Sequence, residues 1–100
     1  MSDHYILDGH KPVKCDLMTW GRWFEKADKA RIVKQEKTGD VEVSTVFIGI
    51  DHQWGKGPPL LFETMIFGGP HDQYQERYST WEEAELGHAL AVERAQKGTG

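Results

Sequence analysis

Apolar and polar residues alternate along three stretches of the chain and recur at helical spacing along two others. Period two places side chains on opposite faces of a strand, and a period near 3.6 gathers them on one side of a helix. Residues His4 to Leu7 set Tyr5 and Leu7 against Ile6, which predicts a short strand. Asp8-Gly9 is a turn signal, and Pro12 to Lys14 returns as the second arm of a hairpin. Pro12 has no amide proton to give a ladder, so that arm is expected at an edge. Asp16 is a helix N-cap, and Leu17, Trp20, Phe24 and Ala27 follow at helical spacing with Trp23 widening the stripe.

Arg31 to Glu36 predicts the next strand, and Thr38-Gly39-Asp40 the turn that ends it. Val41 to Ile50 reads as one long strand. It alternates Val41, Val43 and Thr45 against Glu42 and Ser44, then becomes apolar on both faces at Val46-Phe47-Ile48. Such a change means either an end covered from both sides or an apolar face that meets a partner. A Gly- and Pro-rich loop from Asp51 to Pro59 leads into the strand Leu60 to Phe67. Its two faces are Leu60, Phe62, Thr64 and Ile66 against Leu61, Glu63, Met65 and Phe67. Arg77-Tyr78 adds a short extended segment. Thr80 and Glu83 then form a capping box that opens the last helix. Its apolar stripe is Trp81, Ala84, His88, Ala91, Val92 and Ala95, with Gly87 permitting close approach and Leu86 and Leu90 pointing away. Gly98 ends it, and 98–100 reads as a frayed tail. The elements sum to one α+β domain of order ββαβββα, an antiparallel sheet of about four or five strands with two helices packed on one face.

One hundred residues build one modest core, and four tryptophans and four phenylalanines supply most of its area. A net charge of −4 opposes sequence-independent nucleic-acid binding, which needs a basic footprint. The cluster Lys26, Lys29, Arg31, Lys34 and Lys37 reads as a solvated face. One cysteine, Cys15, excludes an internal disulfide and fits a reducing compartment. No apolar run approaches the ~20 residues of a membrane span, and the polar N-terminus lacks a signal-peptide core. A cytoplasmic location is expected.

Asp51 and His52, with Glu63 on the following strand, are the sharpest polar group. Converging, they would hold a divalent cation or perform acid–base work, with His71 as a further candidate; otherwise Asp51 and His52 cap loop amides and Glu63 faces solvent. No HExxH, paired cysteine, Walker loop or dinucleotide fingerprint is present, so no metal, cofactor or catalytic residue is assigned. Trp54, in a polar loop stiffened by Pro58-Pro59, either folds back on the core or stands out as a docking anchor. His88 reads as a satisfied core histidine. Leu86 and Leu90 are either stray surface leucines or a homodimer contact. Cys15 precedes a helix N-cap, where the dipole would lower its pKa, but nothing dedicates His10 or Asp16 to it as a catalytic partner, so it reads as a structural or incidental thiol.

Thr45 to His52, Pro58 to Gly69 and Arg77 to Ala84 carry the pattern TVFIGIDH, PPLLFETMIFGG and RYSTWEEA. In these segments the chain resembles a group of short uncharacterised proteins encoded by bacteriophages and prophages. The N-terminal hairpin and tryptophan-rich helix look similar too, so the resemblance spans most of the chain. It implies a small accessory phage protein made inside a bacterium and implies no catalytic residues. The expected function is a non-enzymatic binding module that docks a host or phage protein through Asp51, His52, Trp54, Pro58 and Glu63. The alternatives are a small metal- or acid–base-dependent enzyme using Asp51, His52 and Glu63, and a small-ligand binder lined by Trp20, Trp23 and Trp81.

Overall fold

Asp16 opens the first helix by accepting a 2.7 Å hydrogen bond from the Thr19 amide, as a good N-cap does. The computed structural model describes residues 3–51 and 57–97. Among them the chain forms β1 (His4–Asp8), β2 (Lys11–Cys15), α1 (Leu17–Lys26), β3 (Ile32–Thr38), β4 (Val41–Phe47), β5 (Phe62–Phe67), β6 (Gln75–Tyr78) and α2 (Trp81–Lys97). The class is α+β, with every strand pairing antiparallel. The strands divide into a four-stranded sheet of order β3-β4-β5-β6 and a two-stranded ribbon β1-β2. The segment after the fifth strand, read as Arg77-Tyr78 from sequence, extends over Gln75–Tyr78 and forms the sheet's last strand.

The division has a local cause. The strand expected to run to Ile50 leaves its ladder at Phe47, because Gly49 takes φ +70°, outside the strand region. Beyond that bend the backbone serves the ribbon. Tyr5 N–H donates to Gly49 O at 2.7 Å, Asp51 N–H donates to Asp3 O at 3.1 Å, and His4 bridges Ile50. A Cβ on Gly49 would lie 2.6 Å from Tyr5 O, 2.7 Å from Trp20 Nε1 and 2.9 Å from Phe24 Cε2, so the ribbon, α1 and the sheet meet where only glycine fits.

Register fixes the two faces of the sheet. Val43, Thr45 and Phe47 pair with Ile66, Thr64 and Phe62, and all six are buried inward. α2 covers them with Ala84, Gly87, His88, Ala91 and Ala95, the stripe expected from sequence apart from Val92, which is half-buried. Helix α1 packs on β1, and its Trp23 and Phe24 rings lie 5.7 and 6.3 Å from Phe47. Leu17 does not join that packing and is 60% exposed, whereas Trp20, three residues on, meets the ribbon and stacks edge-on to His4. The core forms two apolar clusters. One holds Leu7, Phe47, Leu61, Phe62, Trp81 and Ala84, and the other Val43, Ile66, Ala91 and Ala95.

The ribbon reaches the second helix as well. His10, at its turn, stacks parallel on Trp81 with centroids 3.7 Å apart. No spacing in the sequence pairs these residues, since the contact depends on where Gly49 sends the ribbon.

Candidate functional site

Three regions carry polar chemistry: a seam under α2, the outer sheet face, and the ends of the loop between β4 and β5.

The seam lies between the two apolar clusters and takes one residue from each strand of the sheet. Thr45 Oγ1 is 2.5 Å from Thr64 Oγ1 and 2.6 Å from His88 Nδ1. The Tyr78 hydroxyl meets the Thr64 side chain, and its pKa is raised by burial. At the other end Glu36 Oε1 stands 3.4 Å from His88 Nε2, close enough for charge interaction but outside hydrogen-bond alignment. Lys34 Nζ, 3.1 Å from Glu36, is the main cause holding that carboxyl below its ordinary value. Donor counting assigns the protons. A lone pair on Nε2 would face a carboxylate, so Nε2 carries the hydrogen and Nδ1 accepts from Thr45. Thr64 then donates to Thr45. Burial is the leading cause lowering the His88 pKa, and Glu36 opposes it in part. His88 is 1% exposed, so its ring is spent on packing and hydrogen bonding within the seam, while Lys34 and Glu36 at the seam's end stay open to solvent. Its sequence signal was a threonine at the matching inward position of two strands with a histidine on the facing helix stripe.

Gly87, next to His88, is where Tyr78 enters. A Cβ there would collide with the Tyr78 ring.

The outer face of the sheet has no helix packed on it among the described residues. It carries Val46, Ser44, Glu63 and Met65, all partly exposed, and Phe67, 41% exposed. Glu63 does not face solvent alone. Its Oε2 accepts from Arg77 Nε at 3.0 Å and from the Gln75 side-chain amide. Glu63 pairs with Arg77 across the ladder, a cross-strand charge pair that register makes inevitable once β6 forms. Gln35 donates to Ser44 Oγ at 3.0 Å on the same face.

Of the residues singled out in the loop, Asp51 accepts from the Leu60 amide at 3.2 Å and so ties the two loop ends together, and Pro58 is exposed. His52 and Trp54 lie outside the described residues. Asp51 thus works as an amide cap, while Glu63 is held by β6. No cluster of three His, Cys, Asp or Glu side chains able to hold a metal occurs among the described residues. His71 borders a surface cleft with Tyr74, Leu90 and Arg94. Trp20, Trp23 and Trp81, the walls of the supposed ligand pocket, are spent in packing against Phe24, Phe47 and Phe62.

Burial, then the neighbouring Asp16 carboxylate, raise the Cys15 pKa, so the thiol is not activated by the helix that follows. No described helix is long and apolar enough to cross a membrane. No protein-family model matches the chain, and no curated protein or solved structure matches it.

Proposed function

We propose that this chain is a small non-enzymatic protein-binding module of phage or prophage origin, acting on a host or phage protein in the bacterial cytoplasm. The observation that carries the reading is a sheet that, among the described residues, has a helix on one face only. α2 seals the inward side, while Val46, Met65 and Phe67 stand on the outer side beside a fixed Glu63–Arg77 pair. Apolar side chains around an ordered charge pair are what a protein partner can desolvate and read. The loop from Asp51 to Pro59 joins the two central strands of that sheet, and Trp54 is the side chain in it best suited to anchor a partner. Its stiff prolines and the Asp51–Leu60 tie reduce the ordering that docking demands.

The test is affinity capture from the bacterial host with four proteins: wild type, Met65→Glu, Trp54→Ala and, as an off-face control, Met18→Glu on the exposed side of α1. One protein retained equally by wild type and Met18→Glu, and at least about tenfold less by the other two, supports the reading. Retention of the same set by all four contradicts it.

A further inference from the structure

The exposed side of α2 carries an ordered ridge. Glu82, Leu86, Leu90 and Arg94 follow one another at intervals of four residues, so their side chains line up along one surface of the helix over about 18 Å. All four are exposed, the leucines by 66% and 60%. Of the neighbouring acids, Glu83 closes the capping box with Thr80 and Glu93 pairs with Lys97 at 2.7 Å, while Glu85 beside Leu86 is exposed. Arg94 lies over the Tyr74 ring, 4.8 Å from its centroid, which holds the guanidinium near the ridge end.

The order acid, leucine, leucine, base is self-complementary when reversed. We propose that this ridge is the contact of a symmetric dimer, in which the α2 helices of two copies of this chain cross antiparallel at Leu86 and Leu90. A two-fold axis at the level of His88 sets Leu86 against Leu90 of the second copy and Glu82 against its Arg94. Both charge pairs are then satisfied by one operation, as an isologous interface requires. Parallel packing would oppose Glu82 to Glu82 and Arg94 to Arg94. The cleft bordered by His71, Tyr74, Leu90 and Arg94 receives the second copy's Leu86. The outer sheet face lies on the other side of the molecule and stays open, so the dimer would present two such faces.

Sedimentation equilibrium from about 10 µM to 1 mM reads the association, because four leucines make a small contact. The weight-average mass of the wild type is expected to rise from 11.4 kDa toward twice that value. Leu86→Asp/Leu90→Asp should stay at the single-chain mass with an unchanged melting temperature. Glu82→Arg and Arg94→Glu should each be monomeric alone and associate when mixed, since each mixed pair opposes unlike charges. A wild type monomeric throughout, a leucine double variant that associates like the wild type, or charge variants that fail to associate on mixing would each overturn the proposal.

Discussion

Thr45 Oγ1 on β4 lies 2.6 Å from Nδ1 of His88 on α2, and this bond ties the sheet to the helix that covers it. Its partners are buried on both sides, with Thr45 at 0% and His88 at 1% exposure. Thr45→Val keeps the shape and deletes the hydroxyl, so His88 Nδ1 loses its donor in a place water does not reach. The expected loss is about 1–3 kcal/mol of unfolding free energy, read by urea denaturation. His88→Ala removes the ring as well, leaves a cavity, and is expected to cost more. An unchanged midpoint for Thr45→Val would show that the seam holds nothing together.

Stability should depend on pH through the same histidine. Burial holds the His88 pKa below its ordinary 6.5, against the opposing pull of Glu36. The unfolded chain therefore takes up this proton first as pH falls. The contribution of His88 is complete above pH 6.5, declines as pH falls below it, and levels off below the folded-state pKa. Lys34 disfavours the imidazolium as well, and Glu36, with its own pKa lowered, stays ionised through this window. Urea midpoints at pH 7.5 and 5.5 should thus differ more for wild type than for His88→Gln. Equal slopes would place the titration elsewhere. Ring nitrogen shifts by NMR should report the tautomer with hydrogen on Nε2.

Gly49→Ala should separate the ribbon from the sheet. The new methyl meets Tyr5 O and Trp20 Nε1 at 2.6 and 2.7 Å in a backbone with φ +70°. A loss of at least about 2 kcal/mol is expected, with faster amide exchange at Tyr5, whose N–H donates to Gly49. Exchange at Thr45 and Thr64 should change less. Uniform acceleration across the chain would mean that ribbon and sheet unfold as one unit.

The outer ion pair offers a gentler test. Glu63→Gln leaves its strand pairing intact but removes the charge facing Arg77. Glu63 keeps 15% and Arg77 35% side-chain exposure, so water screens much of the interaction, and a change within about 1 kcal/mol is expected by denaturation. Binding to a partner should respond more strongly than stability. The reverse result would make the pair a scaffold element.

Much of this fold was legible because its periodicities are clean. The capping box at Thr80, the α2 stripe from Trp81 to Ala95, and the alternation of Val43 and Thr45 against Glu42 and Ser44 all reappear in the structure. What escaped the sequence depends on single backbone bends and long-range register. Gly49 ends β4 early and turns the ribbon away, which splits the sheet and brings His10 onto Trp81. Glu63 finds Arg77 only because β6 forms at four residues. His88 was legible as a core residue, whereas its link to Thr45 and Thr64 required knowing which rungs of two strands face each other. At the candidate site, sequence picked out Asp51 by its loop chemistry, and the structure gives it the Leu60 amide.

Docking on the uncovered sheet face is tested most directly by photo-crosslinking in bacterial cells from single introduced benzoylphenylalanine positions. Ser44 and Met65 sample that face, and Ala89 samples the exposed side of α2. One heterologous protein joined at Ser44 and Met65, absent at Ala89 and diminished by Trp54→Ala, is the predicted result. The same adducts at all three positions, or none at Ser44 and Met65, would contradict it.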